Sequence, residues 1–281
     1  MTSFIKPHLT VKPRQLTLIV VIIALIVLPL LKIVSLVNVS DLNYVLKDIE
    51  IKEAIRNSFL ITVLVVLTTI PLSFACAFCI VRTNIKFKTV FSALCVLPLF
   101  LPPISFGYSL LSIFGKNGFI FYLFNIRLPL MGFLGIYLGL VLYTFPVAFL
   151  ILKNALQKSN IVVYESAVLL GIPPHRFFLN VTLPLLWKPI VSAIFAAIIM
   201  SLTEYGVCLI VGGKVKTVSL LIYRQVLGAL DISKGVALGS LLLLPLLLLL
   251  FFDVRTPQIN EGIIYKSYIA PESNNVSTRK K

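Results

Sequence analysis

"YESAVLLGIPPHRFFLNVTLP", from Tyr164 to Pro184, is the stretch on which the reading of this chain turns. It sets a carboxylate, a glycine, two adjacent prolines and a His-Arg pair between two long apolar runs. Tyr164 to Leu170 is built of helix formers, with Glu165 near the start, where the positive end of a helix dipole favours an anion. Gly171 is the residue type that takes a left-handed turn at a helix end without a Cβ clash. Pro173 and Pro174 suit the first turn of a second helix, where the amide hydrogens they lack would find no partner anyway. Val181, Leu183 and Pro184 lead into the next apolar run. The local expectation is helix, glycine elbow, helix.

Composition says where that elbow lies. The chain is 59% hydrophobic and 12% charged over 281 residues, with mean hydropathy +1.03. Soluble domains carry about 25% charged residues, so this chain is integral to a membrane. Apolar stretches of about 20 residues fit helices, since barrel strands alternate over about ten. Hydropathy places six spans, near Leu16–Val37, Phe59–Val81, Thr89–Phe114, Met131–Leu152, Ile190–Val211 and Val236–Phe252. The first is too long for a signal-peptide core and no A-x-A site follows it, so it is expected to stay uncleaved. Pro98, Pro102 and Pro103 should kink or break the third, and Pro71, Pro146 and Pro245 should bend three others mildly.

The formal net charge of +15 is read as loop charge rather than as a nucleic-acid surface, because Lys and Arg accumulate on the cytoplasmic side of membrane proteins. Fifteen of the 25 basic residues fall in segments that lie inside if the N-terminus does, among them Arg82, Lys153, Lys158 and Lys188. The expected architecture is an all-α, six-helix transmembrane bundle with both termini in the cytoplasm. Residues 1–15 form a cytoplasmic lead, 16–252 the membrane domain with an inner loop at about 153–189, and 253–281 a polar, flexible tail. Gly135-x-x-x-Gly139 and Gly235-x-x-x-Gly239 allow close helix contact.

Several chemistries drop out. No nucleophile, base and acid set is visible, so no catalytic residue is expected. His8 and His175 stand far apart and Cys76-Ala77-Phe78-Cys79 sits in an apolar run, so no metal site is expected. Gly212-Gly213-Lys214 lacks the spacing of a phosphate-binding loop, so ATP cannot be handled by this chain.

At this point the opening stretch resembles a known family. Glu165-Ser166-Ala167-x-x-x-Gly171, nine residues, then Val181-x-Leu183-Pro184, is similar to the EAA loop of binding-protein-dependent ABC-importer permeases. Ser166 and Val181 are mild departures from the family form, which has Ala and Ile there. The resemblance implies that the helix before Gly171 sits in a groove of a separate ATP-binding subunit, and that ATP and Mg are held by a dimer of that subunit. It also implies a second permease copy or sister permease, an extracytoplasmic solute-binding protein, surrounding lipid, and a bacterial plasma (inner) membrane location. Glu165, Ser166, Ala167, Gly171, Pro173, Val181, Leu183 and Pro184 are then the ATPase-coupling residues. Leu97–Gly118 and Ser201–Gly213 look like the branch that imports 2-aminoethylphosphonate and, nearby, ferric iron. An ion-coupled secondary transporter is the alternative; it would carry inverted repeats and several intramembrane charges.

Thr203, Glu204, Tyr205 and Gly206 interrupt the fifth span. A mid-membrane carboxylate costs roughly 2.5–3.5 kcal/mol on insertion scales. About eleven aliphatic or Phe residues of that span return about 0.3–0.6 kcal/mol each, so the span still inserts. Two readings stay open: a translocation path or gate, or a helix-capping or interhelical hydrogen bond. Outside, Lys116, Arg127, Lys214, Lys216 and Arg224 suit an anionic solute or an acidic protein surface, or stand as solvated loop charges.

Overall fold

Where no water competes, a backbone must satisfy its own polar groups, and runs of Leu, Ile, Val and Phe do so as helices. In the computed structural model, which describes residues 13–35, 41, 45, 47–126, 130–159, 163, 166, 169–171 and 173–255, helix is the dominant element and no strand occurs among the described residues. In chain order the helices are α1 (Pro13–Ser35), α2 (Ile49–Arg82), α3 (Lys88–Val96), α4 (Pro103–Phe114), α5 (Phe119–Phe124), α6 (Phe133–Lys158), α7 (Pro174–Phe177), α8 (Leu183–Thr203), α9 (Gly206–Val211), α10 (Val218–Tyr223) and α11 (Ile232–Arg255). Of the expected tail at 253–281, residues 253–255 are helical and close α11, and the rest lies outside the described residues.

Each of the six expected spans overlaps a helix, but the helices differ in reach. Among the described residues, Ile49–Arg82, Phe133–Lys158 and Phe178–Thr203 are long and apolar enough to cross a membrane. Lys88–Phe100 and Pro103–Phe124 make a fourth only if counted as one span bent by 107°. Val20–Pro29, Val218–Gly228 and Ile232–Leu247 are shorter apolar helices. The bend is where the prolines put it. Leu101 precedes Pro102, whose ring disfavours the helical region for its neighbour, and Leu101 is extended at φ −91°, ψ 136°. At Pro71, Pro146 and Pro245, α2, α6 and α11 continue without a break.

Internal contacts divide the chain into two units. The first gathers Met1–Thr62, Pro103–Gly139 and Leu202–Leu246. Its core includes Ala54, Val218, Leu221, Ala237 and Leu238. Small residues set how close its helices come. A Cβ on Gly107 would lie 2.7 Å from the Ile210 Cβ, and one on Gly139 would collide with Val207. Gly135 likewise meets Val211, so the first glycine pair works as expected; of the second, Gly235 abuts Val226 while Gly239 has open space. Lys216 Nζ pairs with Glu50 Oε1 at 2.5 Å, and Lys216 O accepts from Asn57 Nδ2 at 3.2 Å. That pairing takes Lys216 out of the set of solvated outer charges.

The second unit gathers Val63–Pro102, Leu140–Ser201 and Leu247–Lys281 around Ala77, Phe149, Leu152, Leu156 and Leu186. Hydroxyls join α2 to α6 inside it. Thr69 Oγ1 and Thr144 Oγ1 stand 3.1 Å apart, both residues fully buried, and Ser73 Oγ donates to Phe145 O at 3.3 Å. In a bilayer each such bond contributes about 0.6 kcal/mol.

Candidate functional site

The segment that opened the sequence reading belongs to the second unit. Glu165 and Ala167 lie outside the described residues. Leu170 N donates to Ser166 O at 3.0 Å, the bond of a helical turn. Gly171 follows at φ +67°, the left-handed conformation expected of it, with no atom of the described residues within 4 Å of where a Cβ would project. Pro173 O then accepts from Phe177 N at 2.9 Å, and Pro174 is the first residue of α7. Pro173 therefore stands just outside the second helix rather than within its first turn. The chain continues through a wider turn, Phe178–Thr182, in which Leu183 N reaches back five residues to Phe178 O. Val181 and Leu183 are half-buried, Pro184 is exposed, and Leu186 beyond them is in the core. The elbow presents two large apolar side chains, Leu169 at 87% exposed and Leu170 at 79%, with Ser166 and Arg176 also exposed. The motif letters alone did not single out those two leucines.

The interruption after α8 belongs to the first unit. Glu204 is 9% exposed. Its Oε1 accepts from Gly206 N at 2.5 Å and from Val207 N at 3.3 Å. Those amides open α9 and have no intrahelical acceptor, so the carboxylate does what a capping side chain does. Glu204 O in turn accepts from Ser219 Oγ at 2.9 Å. Gly206 is required by closeness: a Cβ there would sit 2.9 Å from Glu204 Oε1 and 3.3 Å from Ile104 Cβ. Thr203 ends α8 and is exposed. Tyr205 is 43% exposed and stacks on Tyr223, ring centres 4.7 Å apart and 17° from parallel. Of the two readings left open for Glu204, the geometry matches the capping one.

Sequence reasoning missed Ser219 and Tyr223 as neighbours of this break, because it assigned no helix directly after Val211. The signal was there: Thr217 caps α10, accepting from Leu220 N at 3.4 Å, ahead of the apolar run Val218–Tyr223. Among the described residues no group of three or more His, Cys, Asp or Glu is placed to hold a metal.

Residues 69–255, which include both loci, match the family of binding-protein-dependent transport system inner membrane components. The chain belongs to that family. Within it, the molybdenum transport permease ModB of Haemophilus influenzae is 30% identical over 206 residues, 70% of this chain and 90% of the relative. The ferric transport permease FbpB of Actinobacillus pleuropneumoniae is 28% identical over 180 residues, 61% of this chain; the match spans only 26% of that longer relative. The molybdate/tungstate permease WtpB of Methanocaldococcus jannaschii is 28% identical over 80% of this chain and 88% of its own. A solved bacterial ABC transporter that imports the acidic polysaccharide alginate shares the fold, with TM-score 0.70, 14% identity, and coverage of 86% of this chain and 92% of that one. Ferric iron, expected from the sequence, appears among these names; a phosphonate does not.

Proposed function

We propose that this chain is the permease subunit of an ATP-driven importer, coupled through residues 164–184 to a separate ATP-binding subunit that holds ATP and Mg. The observation that carries the reading is the left-handed Gly171 elbow with Leu169 and Leu170 exposed beside it, inside a family-matched region. Two exposed leucines beside the turn are surface that a protein groove removes from water, at about 1.5–3 kcal/mol per buried side chain. Closure of an ATPase dimer around two such elbows then moves the membrane helices; a second permease copy or a sister permease completes the path. An extracytoplasmic binding protein delivers the solute, as in the alginate transporter solved with its periplasmic protein. The family's inner-membrane character supports a multi-pass location in a bacterial plasma membrane.

The solute we propose is ferric iron, on the FbpB likeness. Molybdate is the second reading, favoured by the coverage of ModB and WtpB. Tyr205, exposed at the break, is proposed to face the path, with Glu204 holding the break in shape.

The test is capture. Cysteine placed at Leu169, in a chain freed of its four native cysteines, should crosslink to an ATP-binding subunit in importing cells, and that subunit should co-purify in mild detergent. Solute accumulation driven by an ion gradient, with no such subunit attached, would instead establish a secondary transporter. Uptake of labelled ferric iron and molybdate by the same cells separates the two cargo readings.

A further inference from the structure

Resting on the coupling reading, one cluster outside the motif acquires a role. Residues 160–177 carry the elbow, and on both sides of it the chain is attached to the same helix, α2. After the elbow, Phe178 meets Phe74 edge-on, ring centres 5.5 Å apart at 74°. Before it, the last turn of α6 is held by Arg82, the final residue of α2. Arg82 Nη2 donates to Leu156 O at 3.2 Å and to Ser159 Oγ at 2.5 Å, while Ser159 Oγ donates to Leu156 O at 2.7 Å. The three groups close a small ring of hydrogen bonds.

Chemistry favours a cation there. The last carbonyls of a helix have no partner within it and carry the negative end of its dipole. Arg82 ends α2 and bonds the end of α6, so one guanidinium serves two helix C-termini. The two hydrogens of Nη2 serve the carbonyl and the hydroxyl together, on a guanidinium that stays charged and is more weakly hydrated than the ammonium of lysine. Ser159 N also donates to Ala155 O at 3.0 Å, so α6 stays wound up to the residue that Arg82 grips. Without the grip, a push arriving from the elbow would first fray a helix end, which is the softest part of any helix.

We propose that Arg82 is a positioning residue for ATP coupling: by tying Leu156 and Ser159 to α2, it makes movement of the 160–177 segment shift α2 and α6 as bodies instead of unwinding the end of α6. The role is mechanical. Arg82 touches neither solute nor nucleotide in this assignment, so its loss should lower solute moved per ATP rather than ATP hydrolysis itself.

The experiment compares Arg82→Ala, Arg82→Lys and Ser159→Ala with the unaltered chain, each reconstituted in proteoliposomes with its ATP-binding subunit and binding protein. Transport and ATP hydrolysis are measured on the same vesicles. Expected are a fall of at least tenfold in solute transported per ATP for Arg82→Ala, partial recovery for Arg82→Lys, and a two- to fivefold fall for Ser159→Ala, with hydrolysis within twofold throughout. If Arg82→Ala does not assemble, Arg82→Lys and Ser159→Ala decide, since each removes only part of the ring. Unchanged transport per ATP in the variants that assemble overturns the proposal, as does a fall in hydrolysis that matches the fall in transport. An unaltered chain that binds no ATPase at all would instead overturn the coupling reading on which this one rests.

Discussion

Removing the Glu204 side chain should destabilise the protein more than neutralising it. Glu204→Ala strips the acceptor from Gly206 N and Val207 N, both at buried residues. A buried donor left without a partner costs about 1–3 kcal/mol, so two give about 2–6 kcal/mol before water or neighbours relax in. Glu204→Gln keeps an Oε1 acceptor in the same place and loses only the charge assistance, about 1 kcal/mol. For a chain of this size each kcal/mol shifts Tm by roughly 2–4 °C. Glu204→Ala should therefore fall by about 4–24 °C in detergent and Glu204→Gln by no more than about 4 °C. Cys208, 1% exposed and one turn further along α9, supplies the assay once Cys76, Cys79 and Cys95 are replaced: a thiol-reactive dye that labels it only on opening then reports the transition. Uptake should follow stability, with Glu204→Gln near the unaltered protein. If Glu204→Gln keeps its Tm yet abolishes transport, the negative charge itself is needed. The carboxylate would then act on solute, and the capping argument would fail.

Gly171→Val adds atoms that meet nothing among the described residues, but a β-branched residue at φ +67° costs of order 1–3 kcal/mol of local strain and pulls the elbow out of shape, so Tm should fall by roughly 2–12 °C; uptake should collapse, with ATPase assembly scored by co-purification. Gly107→Val should lower Tm by a similar amount through the clash with Ile210, with overpacking costing about 1–3 kcal/mol, and uptake should fall only as far as stability does. Lys216→Ala should cost under about 1 kcal/mol, since both partners of its ion pair are about a third or more exposed; if it also leaves uptake of an anionic solute unchanged, Lys216 is confirmed as a tether rather than a solute contact.

The parts of this fold that could be read ahead of the structure were those fixed by backbone chemistry within a few residues. Pro102 forces Leu101 out of the helix wherever the third apolar run goes, and Gly171 announces a left-handed residue because it is followed by two prolines. Gly135 and Gly139 signalled contact by lacking side chains, though not that Val207 and Val211 would fill the space. What was not legible depends on distant pairing. Lys216 looked like a free outer charge until Glu50, 166 residues away, proved to be its partner. Arg82 looked like one more inner-loop cation, and nothing local marks Leu156 or Ser159 as its acceptors 74 and 77 residues on. Glu204 is the intermediate case: its donors lie two and three positions downstream, but a helix break had to be granted before capping made sense.

The empty volume around Gly171 has a consequence for how its identity is enforced. Since no described neighbour objects to extra bulk, the demand that the described residues place on position 171 is one of handedness. A mirror-image alanine, whose preferred torsions include φ near +67°, would satisfy it where ordinary alanine strains. Evolution, restricted to one hand, has glycine as its only achiral answer there.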